Sequence, residues 1–233
     1  MPTRVRFLLL LCASAWPATV LAQLQSVLAE RSIEVEYQPR SSAVMVTRVA
    51  IGDVDVQCGL MIAPNKLQAV VPFQADGDWL KNLKIYLYNR TDLTIVAVNI
   101  TLGFPETGDG KTRPQLMYPV QLGRLPSVVA VSGSTGKLIP QDSAREPLKF
   151  LPNETLQIDV GNYFDDFKEH IQTFAEINKV FIYVGPFFFE SGMRWSAGKF
   201  SVPDPERKGR FKRMDDDYFP GDVLRNWPPV SQQ

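Results

Sequence analysis

Short stretches in which apolar and polar residues alternate recur along the chain between residues 30 and 200. The clearest stretches contain Leu83, Ile85 and Leu87, and then Val96, Val98, Ile100, Leu102 and Phe104. A period of two indicates β-strands that bury one face. The polar residues 89–92 separate the two stretches and predict a turn between them.

Other segments of the same character predict further strands. They cover residues 32–37, 43–51, 54–58, 116–122, 127–131, 156–160 and 194–202. Gly52 and Asp53 predict a tight connection. Residues 180–189 are apolar on both faces, which predicts a central strand, and residues 190–193 predict a hairpin turn after it. The pattern therefore predicts a mainly β fold of antiparallel strands in two layers.

In one segment the apolar residues repeat with the period of a helix. The C-terminal tail shows neither the helical period nor the strand period of two. Phe164, Phe167, Ile171 and Phe174 form one apolar stripe, which predicts an amphipathic helix over about residues 163–175 that packs as a lid on the sheets. Residues 203–233 contain five prolines, a basic run and three consecutive aspartates, but few aliphatic residues. This composition predicts an irregular tail.

The first 22 residues have the three-part pattern of a secretory signal. Arg4 and Arg6 precede an apolar stretch over residues 7–20, and Ala22 supplies a small residue for cleavage. The stretch is shorter than the roughly 20 apolar residues of a membrane span, and no later segment is long enough. We expect a secreted or periplasmic protein that begins near Gln23. Residues 23–202 would form the β domain, with residues 23–79 either extending it or forming a small subdomain.

Composition excludes several function classes. The chain has 233 residues, with 25 Lys plus Arg and 25 Asp plus Glu, so no net field attracts it to nucleic acid. One histidine and two cysteines exclude an ordinary His/Cys zinc site and a disulfide framework. Cys58 is the only cysteine after the expected cleavage, so it is either buried and inert or pairs with a cysteine of another chain. Its alternating segment favours a buried thiol. We expect no cofactor and no metal.

Catalytic motifs are weak, and we predict no catalytic residues. His170, the only imidazole, has no nucleophile-elbow sequence near it and is expected at the surface. Residues 131–138 lack the first glycine and the final hydroxyl residue of a phosphate loop. Glycoside hydrolysis needs only two carboxylates at a set distance, so Glu190 and Asp159 leave that chemistry open.

A binding surface is predicted after the 190–193 turn. Aromatic residues at alternating strand positions, such as Trp79 and those of residues 187–189, are more often core than surface. Arg194 and Trp195 directly follow a predicted hairpin turn, and loops on rigid scaffolds commonly carry recognition. We predict that Glu190, Arg194 and Trp195 bind a partner, and that replacing Trp195 by alanine would spare stability.

Three Asn-x-Thr sequences begin at Asn89, Asn99 and Asn153. In a eukaryotic secretory pathway they would be acceptors for N-linked glycans. Asn99 falls on the polar face of its predicted strand, where a glycan has room. In a bacterium these sequences would carry no such meaning.

Part of the chain resembles immunoglobulin-like β-sandwich domains of secreted proteins. Residues 83–104 are similar to the central hairpin of that fold, and residues 148–160, around a Pro-Asn-Glu turn, are similar to a later hairpin. Residues 189–198 resemble the closing hairpin of secreted bacterial sandwich proteins. The resemblance covers roughly residues 80–201 and implies an immunoglobulin-like sandwich. It implies no catalytic residue.

Two functions fit these observations. The first is a secreted or periplasmic, non-catalytic module that binds a protein or an envelope component. The second is a carbohydrate-active protein, either a sugar-binding module or a small glycosidase, that uses Trp195 and nearby carboxylates. Two carboxylates about 5–10 Å apart in a Trp-lined cleft would favour the second. A flat apolar patch or an open sheet edge would favour the first.

Overall fold

The computed structural model describes most of the chain between residues 28 and 215. The described residues are 28–36, 38, 42–63, 66–67, 70–108, 114–125, 146, 148–171, 174–207 and 210–215. The predicted leader with its cleavage point at Gln23, the predicted strand at 127–131, residues 131–138 and the tail after residue 215 lie outside them.

The larger of two sheets is built around a long central strand. Its strands are β1 (Ala29–Val35), β4 (Gly59–Ala63), β5 (Lys66–Leu67), β6 (Phe73–Ala75), β8 (Ile95–Phe104), β9 (Leu116–Gly123), β11 (Lys179–Phe189), β12 (Arg194–Ser196), β13 (Lys199–Pro203) and β14 (Phe211–Arg213). Strand β8 runs antiparallel along one edge of β11, while β1 and β12 share the other edge. The central position predicted for residues 180–189 is confirmed.

One part of this sheet differs from the antiparallel pattern that we predicted. Strand β1 pairs in parallel with β11 and with β4, whereas the other strand pairs are antiparallel. Parallel neighbours need a long crossover connection. Here β1 reaches β11 only after more than a hundred intervening residues, and local hydrophobic patterns do not report such pairings.

The smaller sheet contains four antiparallel strands. They are β2 (Val44–Ile51), β3 (Val54–Asp55), β7 (Leu83–Asn89) and β10 (Thr155–Asp159), in the order β10-β7-β2-β3. Gly52 has a φ of +62° in the tight β2–β3 connection, a conformation that favours glycine. Strand β3 is shorter than the predicted 54–58, because both of its residues are exposed and bury no face.

The inner faces of the two sheets share one hydrophobic core. The mainly β class, the inward face predicted for β7 and the inward face predicted for β8 from Val98 onward are confirmed. Val96, which the alternation also placed inside, is half-buried at a register shift between β8 and β11. The residues on these inner faces are fully buried, and they include Leu83, Ile85 and Leu87 on β7 and Val98, Ile100, Leu102 and Phe104 on β8.

The two predicted hairpins are connections between sheets. Strand β7 belongs to the small sheet and β8 to the large one, so residues 89–92 carry the chain from one sheet to the other. The 148–160 segment does the same, because Phe150 bridges Ile95 of β8 whereas β10 pairs with β7. Alternation correctly identified the buried faces of β7 and β10, but it did not identify which strands lie beside them.

The predicted helix is present but much shorter. Helix α1 covers Phe164–Lys168, after a 3₁₀ turn at Val160–Tyr163, and a second 3₁₀ turn covers Phe174–Glu176. The apolar stripe is nevertheless directed inward, since Phe164, Phe167 and Ile171 are buried. One helical turn already buries two of these rings, and an isolated short helix is only marginally stable.

Two segments after β11 also differ from the prediction. The turn at residues 190–193 is confirmed, but the strand predicted over residues 194–202 is interrupted. Ala197 and Gly198 have φ angles of 50° and 81° and separate β12 from β13. The predicted irregular tail begins with one more strand, because β14 pairs with β13.

Cys58 is half-buried in the connection between β3 and β4. Burial disfavours the thiolate and raises the pKa of the Cys58 thiol from 9.0 to about 12. The thiolate is the reactive form, so at pH 8 the folded chain should react with iodoacetamide at least about 100-fold more slowly than the urea-unfolded chain. Labelling followed by mass spectrometry checks this. Equal rates in both states would show that the thiol is accessible and ionisable.

Among the described residues, no helix combines the length and the apolar character that crossing a bilayer requires.

Candidate functional site

The ring of Trp195, which the sequence placed at a binding surface, lies in the core. Trp195 is 4% exposed and stacks on Phe187 with 5.4 Å between ring centroids. Its strand, β12, lies between β11 and β13, and Trp195 pairs with the buried Phe200. A hairpin turn does precede it, but the next strand position faces inward. The ring is therefore not available to a ligand.

Arg194 and Glu190 do not form a common surface with Trp195. The side chain of Arg194 lies on the opposite face of the sheet, with its guanidinium carbon 4.3 Å from the ring centroid of Phe211. Burial, together with the charge of Arg213, lowers the pKa of Arg194. Glu190 is exposed in the turn. The predicted cluster is thus divided between the two faces of the sheet and a turn.

The structure separates the three candidate glycan acceptors by exposure. Asn89 is fully buried, so its side chain is not available in the folded chain. Asn99 is half-buried on β8, opposite Gln121 of β9. Asn153 is exposed in the turn before β10 and has a φ of 60°. In the folded chain the Asn89 amide is part of the connection between the sheets.

The two tryptophans in the described part of the chain, Trp79 and Trp195, do not form a sugar-binding cleft. Trp79 is 1% exposed and donates its indole N–H to the Ile177 carbonyl, so neither Trp79 nor Trp195 lines a cleft. No group of three or more His, Cys, Asp and Glu residues suited to a metal ion occurs among the described residues. His170 is exposed near the ring of Tyr118.

An open sheet edge is the feature that suits recognition best. Strand β10 pairs with β7 in a continuous antiparallel register, from Thr155 opposite Tyr88 to Asp159 opposite Lys84. Within the described residues, β10 has no strand on its other side and makes no backbone hydrogen bond in that direction. Unpaired edges readily accept another extended chain.

The hydrogen bonds of β7 show which backbone groups of β10 point outward. Asn89 N–H donates to the Glu154 carbonyl, and on the opposite side Gly52 N–H donates to the Asn82 carbonyl. Bonded pairs alternate along antiparallel strands, so the odd-numbered residues of β7 bond to β10. Leu156 and Ile158, opposite Leu87 and Ile85, therefore face β7 with their backbone groups.

The outward groups are those of Thr155, Gln157 and Asp159, and we call these three N–H and C=O pairs the β10 edge. The side chains of Thr155 and Gln157 are exposed. Gln157 Nε2 donates to Asp159 Oδ1 over 2.8 Å, which orders the polar side of the strand. On the other face, Leu156 is half-buried against the core and Ile158 is 1% exposed. The strand therefore offers both backbone groups and distinct apolar and polar faces.

Tight turns fix both ends of the β10 edge. Before the strand, Glu154 Oε2 accepts a hydrogen bond from Leu151 N–H over 2.9 Å. After it, Gly161 passes so close to the 79–82 turn that an added Cβ would lie 2.2 Å from the Lys81 carbonyl oxygen. Glycine is therefore needed at this approach. Both ends of β10 are therefore held in place, although no other strand of the described residues lies on its outer side.

Aromatic and polar side chains surround the outer face beside this edge. Tyr86 and Tyr88 of β7 are half-buried there, and the Tyr88 hydroxyl donates to Asn153 Oδ1 over 3.1 Å. The guanidinium carbon of Arg48 lies 4.7 Å from the ring centroid of Tyr86, and its Nε donates to Asp55 Oδ1 over 2.5 Å. Tyr and Arg are enriched among residues that dominate binding energies.

Comparisons with protein-family models, curated proteins and solved structures find no match to this chain. No relative therefore assigns a role to any of these residues, and the geometry of the chain itself carries the functional inference.

Sequence reasoning identified β10 as a strand but missed it as a site. The alternation of Leu156 and Ile158 identified the correct inner face of β10. A buried face, however, does not indicate how many strands lie beside a strand. Edge position depends on the sheet order, and the sheet order is set by pairings far apart in sequence. The one signal was polarity, since Thr155, Gln157 and Asp159 are all polar, as is common on an exposed edge.

Proposed function

We propose that this chain is a non-catalytic protein-binding module that accepts an extended segment of another polypeptide at the β10 edge. The observation that carries the proposal is the row of outward backbone groups at Thr155, Gln157 and Asp159, which β7 leaves unused. In strand addition, main-chain hydrogen bonds supply affinity and alternate side chains supply specificity. Strand β10 has both the outward backbone groups and the alternating apolar and polar side chains.

The two faces of β10 define the chemistry of the incoming segment. Its inward side chains would lie next to Leu156 and Ile158 and should be apolar. Its outward side chains would lie next to Gln157 and near Tyr86, where amides, hydroxyls or aromatic rings can pack. The target is therefore an extended segment with alternating apolar and polar residues.

Export is part of the proposal. The leader pattern over residues 1–22 supports a secreted or periplasmic location, where the partner would be an extracytoplasmic protein or envelope component. We also retain, as a proposal, the relationship of residues 80–201 to immunoglobulin-like domains. Such sandwiches often serve as interaction modules, which is an argument by analogy of fold.

Site-specific photo-crosslinking in the native compartment tests the proposal. A photoreactive residue at position 157 should capture a polypeptide partner, whereas the same residue at position 190 should capture at least tenfold less. Glu190 is a matched control because it is exposed and was the alternative site predicted from sequence. Stronger capture at position 190 would favour the turn after β11 and contradict the β10 edge.

A pair of variants then separates the contribution of the Gln157 backbone to partner capture from the contribution of its side chain. Gln157→Pro removes one outward N–H that β7 does not use, and proline is tolerated on edge strands in such positions. We expect it to reduce capture by a crosslinker at position 155 at least tenfold, while Gln157→Ala reduces it less than threefold. Circular dichroism checks that both variants fold. Equal capture by the two variants would mean that the backbone edge is not the recognised element.

A further inference from the structure

We propose that the partner of the β10 edge is the β10 edge of a second copy of this chain, so that two small sheets join into one continuous sheet across a twofold axis. This inference rests on the proposed function of β10 as a strand acceptor, and it names the strand that is accepted. The observation behind it is that β10 is complementary to itself in antiparallel register.

The backbone pairing is complete in one register only. With Gln157 on the twofold axis, Gln157 lies opposite Gln157 of the second copy, and Thr155 lies opposite Asp159. The residues with outward backbone groups then meet one another, and three antiparallel pairs exchange six hydrogen bonds. A shift of two residues in either direction keeps only two of the three pairs. The centred register therefore satisfies the most backbone groups.

The side chains agree with that register. Leu156 of one copy lies opposite Ile158 of the other on the inner face, which covers the half-buried Leu156. On the outer face Thr155 lies opposite Asp159, so no like charges meet. Like charges directly opposite each other destabilise a sheet. An in-register parallel pair would instead place Asp159 beside Asp159, which disfavours that alternative.

The joined sheet would also extend the outer face. Tyr86 lies opposite Gln157 in the β7–β10 pair. Across the axis the same row continues as Tyr86, Gln157, Gln157 and Tyr86, with Arg48 over each terminal tyrosine ring. Two copies thereby present one continuous row of tyrosine and amide side chains. Because five residues per copy form a small contact, we expect a weak, concentration-dependent dimer.

Disulfide trapping tests the register. In a full-length chain with Cys12 and Cys58 replaced by alanine, Gln157→Cys places two thiols on the axis, with Cα atoms about 5.5 Å apart. A disulfide requires about 4.4–6.8 Å. We expect rapid formation of a covalent dimer under mild oxidation and at least tenfold less dimer for Thr155→Cys, whose equivalent positions lie about 13 Å apart along the strands.

Mixing experiments make the trapping specific. An equimolar mixture of Thr155→Cys and Asp159→Cys chains should form the mixed dimer readily, because these positions are opposite each other. Equal crosslinking of the Thr155→Cys and Gln157→Cys chains would indicate random collision and would overturn the proposal. The cysteine variants keep every backbone N–H, so the test does not depend on a variant that disturbs the strand.

Sedimentation over a series from micromolar to near-millimolar protein provides the second measurement. We expect the native chain to pass from monomer to dimer, with at least a tenfold higher midpoint concentration for Gln157→Pro and less than a threefold change for Gln157→Ala. A native chain that stays monomeric throughout overturns the second-copy inference. If position 157 still captures a different protein by photo-crosslinking, the proposed function stands, and if it captures nothing, both fail.

Discussion

Replacing Asn89 by alanine is expected to lower the free energy of unfolding by about 2–5 kcal/mol. The Asn89 side chain is fully buried, and its Nδ2 donates to the carbonyls of Leu93, Phe150 and Leu151 at 2.9, 3.2 and 3.1 Å. Its Oδ1 accepts hydrogen bonds from the N–H and hydroxyl of Thr91. One amide thus joins the end of β7, the start of β8 and the approach to β10.

One of these partners, the Thr91 N–H, would have no substitute in the Asn89→Ala variant. The Phe150 carbonyl keeps the Ile95 N–H, and the Leu93 carbonyl keeps the Thr91 hydroxyl. The Leu151 carbonyl keeps the Glu154 N–H. The Thr91 N–H loses its side-chain partner, and a buried unsatisfied group costs about 1–3 kcal/mol. The expected loss combines this unsatisfied group with the lost hydrogen bonds from Asn89 Nδ2, each of which contributes about 0.5–1.5 kcal/mol.

Urea denaturation of the variant and the native chain measures the effect. Asn99→Ala is the matched control, because Asn99 also begins an Asn-x-Thr sequence but is half-buried on β8. We expect the control to lose less than about 1 kcal/mol. If Asn89→Ala behaves like Asn99→Ala, the amide does not stabilise the connection between the sheets.

The role of Asn89 shows where the sequence was informative and where it was not. Asn side chains often bond to backbone two residues onward, so a turn at residues 89–92 was predictable. The carbonyls of Phe150 and Leu151 lie about sixty residues away in sequence, and no local pattern identifies them. The same three residues that read as a glycan acceptor are therefore part of the core.

The strands themselves were largely predictable. Alternation at Leu83, Ile85 and Leu87 reflects burial against the opposite sheet, and burial is a property of each strand taken alone. Partner choice is not, because β7 pairs with β2 and β10 while the next strand joins β11 and β9. The open β10 edge follows from those pairings, so it became visible only in the assembled fold.

Replacing Trp195 by alanine is expected to reduce the free energy of unfolding by about 3–5 kcal/mol, the usual cost of removing a large buried side chain. The sequence had predicted little change. The ring of Trp195 stacks on Phe187 and lies close to the backbone of Gly185, where an added Cβ would be 3.0 Å from Trp195 Cζ3. Gly185 has a φ of +106°, a conformation that favours glycine, and it has no side chain that could fill the cavity.

Two control variants make the Trp195 test decisive. Trp195→Phe keeps an aromatic ring beside Phe187 and should lose clearly less stability than Trp195→Ala, while the exposed Glu190→Ala should change it by less than about 0.5 kcal/mol. Urea denaturation measures all three. A loss below about 1 kcal/mol for Trp195→Ala would place the ring outside the core and would restore the binding surface predicted from sequence. A large loss would show that the residue favoured by the sequence as a binding residue packs in the core instead.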